Sequence, residues 1–257
     1  MPFALITGAS KGIGKAIAEL LAVRGYDILL VARSSDLLEQ VAGEIHSTTK
    51  RNCRWLAVDL ARNDAAETVF EWCKINQFAV SVLVNNAGYG LSGSFEKYSA
   101  REHAEMLQVN MVTLTKLTSL FLPGMHNQTA GYILNIGSTS AYQALPYLSA
   151  YAASKAYVLT FSRGLYQELR KTNISVTCIC PGPTDTNFVN RANVGAKALK
   201  AAEKFNMSPR AVAEIAVDSL FNRRPEVITG GMNKLSAFFA WLLPKSLVEN
   251  VAKKLYD

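Results

Sequence analysis

Seven short apolar runs recur along the chain, at Phe3 to Thr7, Asp27 to Ala32, Arg54 to Asp59, Val80 to Asn85, Tyr132 to Gly137, Ser175 to Cys180 and Glu226 to Thr229. Most are apolar nearly throughout rather than alternating with polar residues, which is the pattern of strands covered on both faces. Segments of helical length lie between them and would supply that cover. Strand and helix in regular alternation predict an α/β fold, a doubly wound parallel sheet of about seven strands with helices on both faces. In such a sheet ligands bind beyond the carboxyl ends of the strands, so chemistry is expected where a strand stops.

No internal repeat or low-complexity linker interrupts this rhythm, and 257 residues suit one α/β domain, so residues 1–257 are expected to form a single unit. Ser208-Pro209 reads as the opening of a helix. The least regular region, 181–207, is long enough for a lid over a site. With 49% hydrophobic and 18% charged residues the chain is globular in composition, and no apolar run reaches the roughly 18 residues needed to span a bilayer. The first residues enter a strand-like run at once, leaving no room for a signal peptide, so a soluble, cytoplasmic protein is expected. Cys53, Cys73, Cys178 and Cys180 form no C-x-x-C pair and read as reduced core residues. His46, His103 and His126 are scattered, so no metal site is expected. The net charge of +7 fits nucleic acid, an anionic surface or an acidic small molecule. Because the basic residues are dispersed, without a run or interleaved aromatics, nucleic acid is not expected as a partner.

Three motifs carry chemistry, two of them at strand ends. After the first run, Thr7-Gly8-Ala9-Ser10-Lys11-Gly12-Ile13-Gly14 leads into a helical pattern. Glycines let backbone approach a phosphate, and a helix N-terminus offers N–H groups and a positive dipole end. The loop reads as a dinucleotide cradle, or alone as a tight strand-to-helix turn. It lacks the spacing and the hydroxyl of a nucleoside-triphosphate loop, since Ala16 follows Lys15. At the end of the second run stands Arg33, 19 residues beyond Gly14, where an NAD-binding chain usually carries an acid. With Lys11 it would suit the 2′-phosphate of NADP(H) instead; alone it would be a solvated strand-end charge. Tyr151 and Lys155 are four apart in a helix-favouring run, so a phenol and an ammonium share one face. A nearby positive charge favours the phenolate, which makes the pair a tuned acid and base.

Adding Asn85-Asn86-Ala87-Gly88, Ser138 and Pro181-Gly182 after the fourth, fifth and sixth runs, the stretch from Thr7 to Thr186 closely resembles the short-chain dehydrogenase/reductase family. The resemblance implies a Rossmann-like domain and a catalytic set of Asn110, Ser138, Tyr151 and Lys155. Tyr151 would be the acid, Lys155 would lower its pKa and hold the nicotinamide ribose, and Ser138 would bind the carbonyl oxygen. Asn110 would support a water leading protons to the lysine. For the cofactor it implies Gly8, Ser10, Lys11, Gly12, Ile13 and Gly14 in the loop, Asp59 and Leu60 at adenine, Asn86 on the adenosine ribose side, and Ala87 and Gly88 after it. Pro181, Gly182, Thr184 and Thr186 would also contact the cofactor, Thr186 at the nicotinamide carboxamide. Thr184 departs from the Val or Ile common in the family. The helices near Ala100 to Phe121 and Tyr151 to Lys171 resemble the family's subunit contacts, which implies a homodimer or homotetramer.

The expected reaction is NADPH-dependent interconversion of an apolar ketone or aldehyde and its alcohol. The pocket would be lined from Tyr89-Gly90-Leu91, from Thr139 to Tyr147 and from the lid. A non-catalytic NADP-sensing regulator, or an epimerase or dehydratase on the same fold, are the other readings. The tail, 234–257, holds the apolar stretch Leu235 to Leu243 and then a Lys-bearing amphipathic segment. It is too short to span a membrane and could cap the pocket, make a subunit contact or rest on a membrane surface.

Overall fold

In the computed structural model, which describes residues 2–184 and 206–256, alternate side chains of each central strand enter opposite layers. Ala4 and Ile6 of β1 (Phe3–Thr7) join one core and Leu5 the other. In β2 (Asp27–Ala32) Ile28 and Leu30 go one way, Leu29 and Val31 the other, and β4 (Val80–Asn85) splits Val82 and Val84 from Leu83. The period of two is therefore present but invisible in the sequence, because both faces are dry. Each such Leu or Ile, wholly removed from water, contributes about 1.5–3 kcal/mol.

The first layer is α1 (Gly12–Val23), α2 (Ser35–Thr49) and α7 (Pro209–Phe221); the second is α3 (Ala65–Ile75), α5 (Leu114–His126) and α6 (Ser149–Leu169). With β3 (Cys53–Ala57), β5 (Gly131–Ile136), β6 (Ile174–Cys180) and β7 (Glu226–Ile228), the strands form one parallel sheet in the order β3-β2-β1-β4-β5-β6-β7. β3 starts and ends earlier than its apolar run and is only partly covered, as befits an edge. The order reverses beside β1, which pairs with both β2 and β4, and this opens a crevice at their carboxyl ends.

Two local features bear on the site. α4 (Ala100–Leu107) starts with a capping box between Ser99 and Glu102, then a π-helical segment, Gln108–Thr113, separates it from α5. Such wide turns occur often at functional positions, and here the turn carries Asn110, 1% exposed. After β7, Gly230 at φ +82 turns the chain into α8 (Gly231–Leu242) and then α9 (Lys245–Tyr256). Among the described residues no helix is long and apolar enough to cross a membrane.

Candidate active site

Thr7, buried at the end of β1, donates from its hydroxyl to the Val84 carbonyl at 3.2 Å and accepts from the backbone N–H of Asn86 and Ala87. One side chain thus joins the ends of β1 and β4. Asn86 returns the link, its amide nitrogen donating to the carbonyls of Thr7 and Gly8 at 2.9 and 3.1 Å. The approach is so close that a Cβ on Gly14 would lie 2.4 Å from that nitrogen and 2.5 Å from the Gly8 oxygen. Gly8 and Gly12 have φ of +65 and +61, a region that favours glycine. The loop brings Gly8, Ser10, Lys11, Gly12 and Ile13 to the wall of the crevice, while Gly14 lies behind it as packing. α1 begins there with no acidic side chain in its first turn, so its N–H groups and dipole end are left for an anion.

The crevice is one cleft of about 1220 Å³. At its far end Arg33, Asp59 and Leu60 line it beside Lys11. Lys11 and Arg33 are exposed, and neither side chain has an ion pair or hydrogen bond among the described residues. Asn86, Ala87 and Gly88 form the middle. Ser138, Tyr151, Lys155, Pro181, Gly182 and Thr184 come together at the near end. Thr186 lies outside the described residues, as does most of 181–207.

At that near end Ser138 is extended at the close of β5, and its Oγ accepts from the Ser140 N–H at 3.1 Å. The hydroxyl hydrogen is then left to donate outward. Tyr151 and Lys155 occupy successive turns of α6, with Lys155 Nζ 5.8 Å from the centre of the Tyr151 ring. Lys155 is 5% exposed and donates to the Ile136 carbonyl at 2.8 Å. Burial pushes its ammonium down from the ordinary 10.5 to about 8, against a smaller opposing pull from Cys178 and Cys180 beneath it. A lysine so poised can give or take a proton near neutral pH.

Asn110 does not line the cleft. Its Oδ1 accepts from the Tyr89 N–H, and its amide nitrogen donates to the Tyr89 carbonyl at 2.9 Å and to Ser154 Oγ at 3.0 Å. Ser154 in turn donates to the Tyr151 carbonyl at 2.7 Å. A Cβ on Gly88 would stand 3.0 Å from Asn110 Oδ1 and 3.3 Å from Lys155 Nζ, so the strand-end loop is clamped between the two. Asn110 thus braces the Tyr151 turn against the loop after β4.

The family model for short chain dehydrogenases matches residues 2–197. The chain belongs to that family. Among relatives of this short-chain dehydrogenase, a 7beta-hydroxysteroid dehydrogenase of Clostridium sardiniense is 35% identical over 182 residues, covering 71% of this chain and 69% of the other. A solved structure of a 7beta-hydroxysteroid dehydrogenase superposes with a TM-score of 0.88 at 26% identity, covering 98% of this chain and 96% of that one. A short-chain dehydrogenase of Sphingobium yanoikuyae, in complex with NADPH, superposes with a TM-score of 0.82 at 29% identity over 94% of each chain. The chain is accordingly an oxidoreductase of the family, and its cleft fits a nicotinamide dinucleotide. The glycine-loop backbone, the open first turn of α1 and the exposed Lys11 and Arg33 side chains are the features that make the fit.

Three contributors escape a reading of the short-chain dehydrogenase motifs. Ser154 sits inside the Tyr151–Lys155 stretch, yet only the fold shows it bonded to Asn110. Asn233 of α8 is buried, donates to the Thr229 carbonyl at 2.8 Å and rests directly on Gly182, where a Cβ would come within 2.3 Å of its amide. Ala252 of α9 packs in one cluster with Tyr89, Leu148 and Tyr151. Both tail helices therefore build the near end of the cleft.

Proposed function

We propose that this enzyme interconverts a bulky, apolar ketone or aldehyde and the corresponding alcohol, with NADP(H) as its hydride partner. The observation that carries the reading is the convergence of Ser138, Tyr151 and Lys155 at one end of a cleft whose other end holds Lys11 and Arg33. When bound, NADP(H) supplies hydride to a carbonyl carbon or takes it from an alcohol. Lys11 and Arg33 would hold its 2′-phosphate, the first turn of α1 its pyrophosphate, and Lys155 the nicotinamide ribose.

The chain's own part is to place the substrate oxygen and handle one proton. In reduction negative charge develops on that oxygen. The Ser138 hydroxyl, already oriented by its bond from the Ser140 N–H, donates to it. The Tyr151 hydroxyl donates as well and transfers its proton, leaving a phenolate that the Lys155 ammonium stabilises. In oxidation the same proton moves back to Tyr151 Oη. The apolar character of the substrate follows from the lining beyond this point, where Tyr89, Leu145 and Leu148 face Ala237, Phe239 and Leu243 of α8 and the turn after it. The likeness to hydroxysteroid dehydrogenases supports a large, rigid substrate.

The test is a panel of carbonyl compounds of graded bulk, incubated with NADPH and followed at the reduced-nicotinamide absorbance. Turnover is expected with bulky apolar ketones and not with small polar ones. No loss of NADPH across the panel, with the cofactor bound, would overturn the reductase reading in favour of a nucleotide sensor, or of an epimerase or dehydratase that consumes no net NADPH.

A further inference from the structure

We propose that the outward face of the α8–α9 hairpin docks on an anionic lipid surface. Of the fourteen large apolar side chains exposed among the described residues, nine lie between Met232 and Val251; four of these line the cleft, and Met232, Leu235, Phe238, Trp241 and Leu242 lie away from it. α8 buries only Asn233, Ala237 and Ala240, one narrow stripe at helical spacing. Away from that stripe Leu235, Phe238 and Leu242 are exposed, and Trp241 is 78% exposed. The Phe238 ring meets Trp241 at a centroid distance of 6.1 Å, so these two aromatics contact one another away from the cleft. A helix apolar on nearly every side calls for cover on its outer face.

Charge selects the occupant. α8 and α9 carry exposed Lys234, Lys245, Lys253 and Lys254 against the single acid Glu249, on a chain of net charge +7. A second copy related by a two-fold axis would set this cationic, apolar face against itself. A layer of anionic headgroups pairs the lysines while its acyl boundary takes the apolar side chains, and tryptophan favours that boundary. Neither helix is long enough to span, so the hairpin lies in the surface plane. The same helices line the cleft on their inner side, so docking would place the cleft beside a source of membrane-partitioned molecules.

The experiment is co-sedimentation of the full chain with phosphatidylcholine vesicles, with and without phosphatidylglycerol, together with sedimentation of the protein alone. Binding to the anionic vesicles is expected to be at least about tenfold stronger than to neutral ones and to weaken with salt. Phe238→Ser with Trp241→Ser, and separately Lys253→Glu with Lys254→Glu, should each lower it about tenfold or more, with folding checked by circular dichroism. Equal or absent binding to both vesicle types by the wild-type protein overturns the proposal. So does an oligomer that the Phe238 and Trp241 substitutions convert to monomer, since the face would then be a self-contact.

Discussion

At the cofactor end of the cleft, β1 and β4 approach until a methyl on Gly14 would stand 2.4 Å from the Asn86 amide, whereas at the substrate end α8 buries three side chains and exposes most of the rest. The first end is backbone against backbone, pinned by Thr7 and Asn86, and has no slack: added atoms there cost about 1–3 kcal/mol. Exposed positions on the second change stability by only about ±0.5 kcal/mol. The rigid end can therefore serve one cofactor chemistry, while the tail is free to vary with the substrate. Tyr151 and Lys155 sit where the two meet.

The largest effect should come from that junction. Tyr151→Phe removes one hydroxyl and should lower kcat by about 10²- to 10⁴-fold or more, with cofactor affinity and folding nearly unchanged. By contrast Phe239→Ala, in the tail wall, should move KM for a bulky ketone and spare kcat. Turnover of the Tyr151 variant within threefold of wild type would remove the phenol from the mechanism.

Next is the cost of holding Lys155 in a dry place. Its folded value, about 8, lies below the ordinary 10.5, so between these values the unfolded chain binds more protons and stability rises with pH. Below about pH 8 the buried charge costs the cofactor-free protein about 3 kcal/mol. Lys155→Met removes that cost and loses one hydrogen bond to Ile136, worth about 1 kcal/mol. The inactive variant should therefore be the more stable protein at pH 7, and its advantage should shrink by about 2 kcal/mol by pH 10. Denaturant titrations at the two pH values give the answer, and an unchanged gap would mean that Lys155 is not desolvated.

The same contrast explains what could be read from the sequence. β1, β2 and β4 and their loops were legible because runs buried on both faces and glycine spacings are local signals. Ser208 and Pro209 likewise announced α7, Ser208 Oγ accepting from the Ala211 N–H. Asn110 was legible as a motif position but not as a brace, because its partners Tyr89 and Ser154 are 21 and 44 residues away and the π-helical turn that aims it has no local signature. Nor was the buried polar line behind the site, where Asn85 donates to Asn135 and Asn135 to Ser162, locking β4, β5 and α6 together. Asn233 was hidden for the same reason. Its role depends on Gly182, and only the closed fold puts them in contact.

That contact is the seam between the two ends, and a double substitution can break it. Gly182→Ala would drive its Cβ into the Asn233 side chain, which cannot swing away without losing its bond to Thr229. A loss of about 1–3 kcal/mol is expected, and Asn233→Ala alone, which orphans the Thr229 carbonyl, should cost about 1–2 kcal/mol. Together they should cost less than the sum by about 1 kcal/mol or more, because the clash vanishes with the amide. Strict additivity in urea titrations would show that the tail does not bear on the Pro181-Gly182 turn.

The smallest effect is expected at Arg33, far from the tail. The guanidinium is exposed and lines the cleft beside Lys11, so its bonds to a 2′-phosphate would be charge-assisted but partly screened by water. Arg33→Ala should weaken NADPH binding about tenfold, or about 1.4 kcal/mol, while NADH binding stays within about twofold. Arg33→Asp should go further and favour NADH, since a carboxylate accepts from the ribose 2′-hydroxyl and repels the phosphate. Raising the ionic strength should erode the wild-type preference more steeply than that of Arg33→Ala, which keeps only the Lys11 charge, because the discriminating contacts are ionic. Fluorescence titration with both reduced cofactors measures all of these. Equal affinities in the wild-type protein would take the phosphate from Arg33 and leave the Tyr151 chemistry standing, which is the separation of the two ends stated as an experiment.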